Sequence, residues 1–116
     1  FILSNFIFSQ ISELNFDWYQ NYGQGSGRNV ILCSNDDYAI VGRLSQNIAF
    51  IRLNESGELI SQYDFGPGYG NGIIELENQD FILVGSKNSR PYAFKFDQNG
   101  DIIWSFYPTI LGILKI

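Results

Sequence analysis

The side chains of this sequence that can transfer protons are carboxylates, because the 116 residues include no histidine. Acid–base catalysis by carboxyl groups requires two of them at a set separation around the substrate. Carboxylates stand close together at Asp36 and Asp37, and again at Glu75 and Glu77, in polar stretches typical of turns. We interpret both pairs as turn or rim charges, and the sequence predicts no catalytic residue.

The single cysteine, Cys33, is the other candidate for chemistry, and it lies in the apolar run VILC. A nucleophilic thiol needs a neighbouring base or cation that stabilises its thiolate. With no histidine in the chain, we expect Cys33 to be a small buried hydrophobic residue. One cysteine also excludes an internal disulfide.

Three alternate glycines, Gly23, Gly25 and Gly27, give the run NYGQGSGR, which invites comparison with phosphate-binding loops. Such loops continue into a helix or a Lys-Ser/Thr pair. Here the apolar run VILC follows instead, so we expect these glycines to shape a crossing between structural units. The sequence predicts no cofactor.

Charge and composition restrict the function classes. The net charge is −5, and no dense basic run occurs, which argues against nucleic acid and against a polybasic membrane contact. Hydrophobic residues make up 45% and charged residues 16%, which is typical of a globular chain. The abundance of Phe, Tyr, Ile and Val favours β-strands.

The central part of the chain repeats with a period of 43 residues. Residues 18–60 align with residues 61–103 without a gap, and Gly42 falls on Gly85. Internal periods of this length are typical of solenoids and propellers. Trp104 lies two periods after Trp18, so residues 104–116 are the start of a third unit or a C-terminal strand. Other matched pairs are Gly23 with Gly66, Gly25 with Gly68, Gly27 with Gly70, Asp37 with Asp80, Tyr38 with Phe81, Arg52 with Lys95 and Gly57 with Gly100.

Each unit divides into four short apolar runs separated by turn residues. Runs of four to six residues have the length of strands and are too short for helices. The sequence therefore predicts an all-β protein of two tandem four-stranded antiparallel units. The runs are 29–33, 38–43, 49–53 and 58–63 in the first unit, and 72–76, 81–86, 92–96 and 101–106 in the second.

The second strand of the first unit, Tyr38 to Gly42, is apolar on both faces, which predicts a sheet covered on both sides. In the third strand, Arg52 and Lys95 are expected to face solvent or the rim of a neighbour. Such units stack face to face. Two units cover one pair of faces between them, so we expect the isolated chain to self-associate and to be marginally stable.

These motifs resemble the blade repeat of secreted bacterial β-propellers, and they are similar to the quinoprotein-like and WD-repeat-like groups. The resemblance covers about residues 18–106, and it departs from the pattern at Ser61, where a Trp is expected, and after Pro108. It implies an incomplete propeller whose partners are further blades of a longer chain or other copies of itself. The residues that carry it are Trp18, Tyr22, Gly23, Asp37, Tyr38, Gly42, Arg52, Asn54 and Gly57, with Phe65, Gly66, Asp80, Phe81, Gly85, Lys95, Asp97, Gly100 and Trp104.

The same resemblance implies a ligand face, where the loops between units and between second and third strands gather. Loops on rigid scaffolds commonly carry binding residues. Trp18 and Trp104 are expected to pack between units rather than to stack on a ligand. The implied ligand-face residues are Arg28, Arg43, Gln46, Asn47, Asn71, Lys87, Asn88 and Arg90.

A possible calcium loop occurs where Asp97, Asn99 and Asp101 alternate around Gly100. Calcium prefers oxygen ligands at such positions. The glycine is misplaced for an EF-hand loop, and the first unit has Asn54, Ser56 and Glu58 instead. We expect a hairpin turn and no metal, with calcium binding as the open alternative.

Residues 1–12, FILSNFIFSQIS, are too short an apolar run to span a bilayer. They resemble the hydrophobic region of a secretory signal peptide, with a cleavage point between Ser9 and Gln10. The alternative is an edge strand. We expect a non-catalytic binding or scaffolding piece of a secreted, cell-surface or periplasmic propeller. The alternative is part of a propeller enzyme, quinone-dependent or hydrolytic, whose active site lies in other blades.

Overall fold

The computed structural model describes residues 25–108, which form eight β-strands. The strands make two four-stranded antiparallel sheets, each in simple up-and-down order, and no helix occurs within these residues. The predicted all-β class with two four-stranded units is confirmed. Sheet A contains β1 (Gly25–Leu32), β2 (Tyr38–Leu44), β3 (Asn47–Leu53) and β4 (Leu59–Pro67), and sheet B contains β5 (Tyr69–Glu75), β6 (Phe81–Lys87), β7 (Arg90–Phe96) and β8 (Ile102–Phe106).

The strand register repeats with the 43-residue period of the sequence. Gly42 pairs with Gly27 on one side and with Ala49 on the other. Gly85 pairs with Gly70 and with Tyr92, which are the equivalent residues of sheet B. A Cβ atom on Gly42 would collide with the carbonyl oxygen of Ser26, and one on Gly85 with that of Tyr69. The repeated glycine therefore allows close approach of the first and second strands.

The hairpin turns repeat as well. Between the first two strands of each sheet, the side-chain oxygen of Asn35 or Asn78 accepts a hydrogen bond from the backbone N–H two residues later. Between the last two strands, Gly57 and Gly100 adopt φ of 85° and 83°, a conformation that glycine takes without strain. These local bonds explain the recurrence of Asn and Gly at fixed positions in the sequence.

The two sheets pack face to face through aromatic side chains. The ring of Phe50 in sheet A lies 5.1 Å from Phe81 and 5.0 Å from Phe96 in sheet B, centroid to centroid. Phe65 lies 4.7 Å from Phe94 in the same way. Such tilted and edge-on pairs are favourable arrangements for buried rings. The core also contains Ala39, Val41, Ile48, Leu83 and Tyr92.

Arg52 lies in this core and not in solvent. Its Nε donates to the Asp37 carboxylate at 2.8 Å, and its guanidinium carbon lies 5.8 Å from the ring centroid of Phe81. The Arg52 side chain is only 7% exposed. Of the two expected positions, solvent or the rim of a neighbour, the structure places Arg52 against the neighbour. The equivalent pair in sheet B, Lys95 and Asp80, is looser at 3.9 Å.

The two sheets differ in how their outer faces are covered. In sheet A both faces are buried, since Ile40 and Ile51 are as buried as Val41 and Phe50. In sheet B one face packs on sheet A, and the opposite face, the outer face of sheet B, exposes Val84 and Phe106. Coverage of both faces, inferred from the second strand, therefore holds for sheet A alone among the described sheets.

The predicted unit bounds, 18–60 and 61–103, are one choice of phase on the 43-residue period. The sheets occupy 25–67 and 69–106 of that period. Residues 1–12 and Trp18 lie outside the described residues, as does the chain after Pro108 apart from the strands already named. Trp104 lies in β8, 39% exposed on the outer face of sheet B.

Candidate functional site

The loops predicted to form a ligand face do gather at one end of the paired sheets. The β2–β3 turn meets the connection between the sheets where Gly68 N–H donates to the Gln46 carbonyl oxygen. The β6–β7 hairpin reaches the same connection, since Lys87 Nζ lies 3.4 Å from the Phe65 carbonyl oxygen. We call this end the basic rim. All eight ligand-face residues lie there: Arg28, Arg43, Gln46, Asn47, Asn71, Lys87, Asn88 and Arg90.

Two of these residues are β-bulges at equivalent positions. The register of β1 with β2 skips Arg28, and the register of β5 with β6 skips Asn71, which is 43 residues later. A bulge re-aims its side chain and commonly marks a functional edge. The two bulges meet, because Arg28 Nη1 lies 3.4 Å from Asn71 Oδ1.

Tyr69 connects these bulges to Arg43. Arg43 Nη1 donates to the Tyr69 hydroxyl oxygen at 2.8 Å, and its guanidinium carbon lies 4.1 Å from the ring centroid. The guanidinium carbon of Arg28 lies 5.3 Å from the same centroid. We call Arg28, Arg43, Tyr69 and Asn71 the arginine–tyrosine cluster. Its members come from three strands of two sheets, so packing of sheet A on sheet B assembles it.

The other predicted rim residues are engaged separately from the cluster. Asn47 Nδ2 donates to the Asp64 carboxylate at 2.8 Å. This bond, with one from Gly66 N–H, lowers the pKa of Asp64. Arg90 lies 4.5 Å over the Tyr107 ring. Asn88 adopts a positive φ of 54° in the β6–β7 turn, where it shapes the hairpin.

The charges of the described residues are divided between the two ends. The basic rim carries Arg28, Arg43, Lys87 and Arg90, with Asp64 as its one carboxylate within residues 25–108. The ion pairs of this part of the chain are Arg52 with Asp37 and Lys95 with Asp80, so none of the rim cations is paired there. A chain of net charge −5 thus presents a locally positive end. The opposite end carries Asp36, Asp37, Glu55, Glu58, Glu75, Glu77, Asp80, Asp97 and Asp101.

The acidic end is occupied with structural hydrogen bonds. The Glu75 carboxylate accepts from Ser34 N–H at 2.8 Å and from its hydroxyl at 3.2 Å, which joins the two sheets. Glu77 lies in the β5–β6 turn, and Asp36 takes a positive φ of 71° in the β1–β2 turn. Both predicted carboxylate pairs therefore lie in turns.

The proposed calcium loop is a hydrogen-bonded hairpin turn. Asp97 Oδ1 accepts from the backbone N–H groups of Asn99 and Asp101. In the first unit, Asn54 Oδ1 accepts the corresponding two bonds from Ser56 and Glu58. An amide does the same work as the carboxylate, so the turn explains both. Within residues 25–108 no group of three or more metal-ligating side chains occurs.

Cys33 is buried, as predicted, with 3% of its surface exposed. Burial, with the Glu75 carboxylate second, raises the pKa of its thiol from the ordinary 9.0 to about 11. Folding therefore favours the protonated thiol between about pH 9 and pH 11, where the unfolded chain ionises. This arrangement disfavours nucleophilic chemistry at Cys33.

We expect iodoacetamide at pH 9 to alkylate Cys33 in the folded protein at least tenfold more slowly than in the denatured protein. At that pH about half of an unperturbed thiol is ionised, whereas a pKa near 11 leaves roughly one hundredth as thiolate. Mass spectrometry of timed samples measures both rates. Equal rates would show that the thiol is neither buried nor shifted.

Comparison with protein-family models, curated proteins and solved structures finds no match to this chain. Among residues 25–108 there is also no helix that is long and apolar enough to cross a membrane.

Sequence reasoning found the rim but missed its central residue. Tyr69 follows the glycine-rich connection between units, and its sequence neighbours give it no special role. Its contacts with Arg28 and Arg43 arise from the packing of sheets, which a one-dimensional pattern does not display. One signal was available, because the bulged residues Arg28 and Asn71 are separated by one 43-residue period.

Proposed function

We propose that this chain is a non-catalytic binding or scaffolding part of a propeller-type array in which a further four-stranded unit packs on the outer face of sheet B. One observation carries the proposal. The outer face of sheet B repeats, 43 residues later, the face of sheet A that packs on sheet B. Two equivalent surfaces with the same chemistry favour the same kind of neighbour.

The equivalence extends across all four strands. In sheet A, Val41 and Phe50 are 0% and 1% exposed, because sheet B covers them. The equivalent of Val41 is Val84, which is 47% exposed. The remaining outer-face positions match in the same register: Ile74 with Ile31, Ile82 with Ala39, Ala93 with Phe50, Lys95 with Arg52, Trp104 with Ser61, and Phe106 with Tyr63.

The outer face of sheet B has much to gain from a cover. Ile74 is 55% exposed, Trp104 39% and Phe106 51%. Full burial of one such side chain is worth about 1.5–3 kcal/mol. Contiguous exposed apolar surface on this scale marks an interaction site more often than a free surface. β8 also leaves one edge of sheet B unpaired within the described residues.

The chemistry of the expected neighbour follows from the interface already formed. Sheet B meets sheet A with Phe81, Leu83, Phe94 and Phe96, all at most 1% exposed. A further unit would present the same aromatic face. It would also lie over Lys95 as Phe81 lies over Arg52, which favours shortening of the 3.9 Å contact between Lys95 and Asp80.

A non-catalytic role is supported by how the reactive groups are used. Cys33 is buried with a raised pKa, and Glu75 is bonded to Ser34. A secreted or cell-surface location remains a proposal that rests on residues 1–12, which lie outside the described residues. Fusion of these residues to a reporter, followed by cell fractionation, tests it.

We expect the wild-type protein to self-associate and the Val84→Lys variant to be shifted at least tenfold towards monomer. A charge in the centre of the outer face must be desolvated on association, which is costly. Sedimentation velocity over a concentration series measures the distribution. The matched control is Leu32→Lys, which adds the same charge at an apolar strand position of sheet A that is 63% exposed.

The proposal makes a distinction between these two variants. Leu32→Lys should associate like the wild type, because Leu32 is not on the outer face of sheet B. A wild-type protein that is monomeric at every concentration contradicts an adhesive outer face. Equal effects of the two lysines would show that general charge, and not this face, controls association.

A further inference from the structure

We propose that the arginine–tyrosine cluster and the recess beside it bind a small hydroxylated ligand through its carboxylate or phosphate group, such as an acidic sugar or a sugar phosphate. The cluster lies at the basic rim, away from the outer face of sheet B. It is complete within two sheets, so this proposal does not depend on the presence of a further unit.

Arg43 is the anchor of this site, because it is fixed in place with donors to spare. One donor, Nη1, is used by the Tyr69 hydroxyl oxygen at 2.8 Å. Its Nε is buried and has no hydrogen-bond partner. A guanidinium has five N–H donors in a planar fork that matches carboxylate and phosphate oxygens. An unsatisfied buried donor costs about 1–3 kcal/mol, which a small rearrangement onto an oxyanion would recover.

Tyr69 contributes a donor of its own. Its oxygen accepts the bond from Arg43, so the phenol hydrogen remains available to donate to a ligand. Stacking of the Arg43 guanidinium 4.1 Å from the ring centroid restricts both side chains. A restricted pair loses less conformational freedom when a ligand binds, which favours affinity.

Arg28 adds a second positive charge to the site. It is exposed, and its bond to Asn71 is long at 3.4 Å, so its guanidinium is held weakly. Arg28 and Arg43 both lie over Tyr69 and are thus within one Debye length of each other, roughly 10 Å at 0.1 M salt. With no carboxylate partner for either within residues 25–108, an anion would relieve their repulsion.

The recess beside Arg43 indicates the rest of the ligand. Its volume is about 460 Å³, within the range of small-molecule sites. Its wall is polar, with hydroxyl, amide and backbone groups and no apolar side chain. Such a wall suits hydroxyl groups better than a hydrocarbon. The lining residues are Gly25, Ser26, Arg43, Ser45 and Gln46.

Isothermal titration calorimetry with glucuronate, glucose 6-phosphate and neutral glucose tests the proposal on the full chain. We expect binding of glucuronate, glucose 6-phosphate or both, and at least tenfold weaker binding of glucose. Arg43→Gln should weaken binding of the anionic sugar about tenfold or more, since hydrogen bonds to charged groups are worth about 1.5–3 kcal/mol. Which anionic sugar binds identifies the carboxylate or the phosphate as the recognised group.

The matched control is Arg90→Gln, which removes one positive charge from the same rim outside the cluster. It should change affinity less than threefold. Tyr69→Phe retains the ring and removes the hydroxyl, so an intermediate loss is expected, and it decides the matter if Arg43→Gln does not fold by circular dichroism. No binding of either anionic sugar, equal binding of glucose, or equal losses for Arg90→Gln and Arg43→Gln would overturn the proposal.

Discussion

Replacing Phe50 with alanine should lower the free energy of unfolding by about 3–5 kcal/mol, the usual cost of emptying a buried aromatic site. Phe50 is 1% exposed, and its ring contacts Tyr63 in its own sheet and Phe81 and Phe96 in the other. Its loss therefore weakens the interface between the sheets as well as sheet A. Since small domains have total stabilities of about 5–15 kcal/mol, the variant should be near the limit of folding.

Chemical denaturation followed by circular dichroism measures this change, and the Val84→Lys background keeps the protein monomeric. The matched control is Phe106→Ala, which removes the same side chain from a site that is 51% exposed. We expect the control to cost less than about 1 kcal/mol, as surface substitutions usually do. Similar costs for Phe50→Ala and Phe106→Ala would mean that the sheets do not pack through Phe50.

The Arg52→Met variant should lose about 3 kcal/mol of unfolding free energy. Methionine retains much of the apolar stem over Phe81 and removes the charge, so Asp37 is left without its cation. Breaking one partner of a buried ion pair costs about 3–5 kcal/mol. We expect the lower end of that range because Asp37 keeps 16% of its side-chain surface exposed.

Lys95→Met is the matched control, because it removes the equivalent cation from a pair that is longer and more exposed. Exposed pairs contribute about 0–1 kcal/mol, so the control should be close to neutral. Adding Asp37→Asn to Arg52→Met should recover part of the loss, since the orphaned charge is then absent. A neutral Arg52→Met variant, or a double variant that is less stable than the single one, would argue against a buried pair.

The fold was largely predictable because the repeat is recorded in residues with local jobs. Gly42 and Gly85 occur where a side chain would collide with the adjacent strand. Asn35 and Asn78 bond their own turns, and Gly57 and Gly100 take a positive φ. Each requirement is met within one hairpin, so it appears at a fixed place in each period.

The faces were less predictable, because coverage depends on the neighbour and not on the strand. Val41 and Val84 have the same sequence context, yet the first is buried and the second is half exposed. Arg52 and Lys95 also occupy equivalent positions, and their burial differs for the same reason. A sequence pattern specifies the chemistry of a face but not what covers it.

The candidate site was predicted only in outline. The gathering of Arg28, Arg43 and Asn71 at one rim follows from strand order, which the sequence supplied. The role of Tyr69 follows from the distance between two sheets, which the sequence does not contain. The proposed ligand therefore depends on three-dimensional contacts, whereas the rim itself depends on topology.

The central claim is that equivalent faces of the two sheets differ only in whether a neighbour covers them, and the methyl groups of Val41 and Val84 test it most directly. A soluble paramagnetic probe broadens methyl NMR signals that solvent reaches. At protein concentrations where sedimentation shows a monomer, we predict strong broadening of Val84 and none of Val41, which are 47% and 0% exposed. Broadening of both valines would contradict the packing of sheet A on sheet B, and protection of both in the monomer would contradict the open outer face.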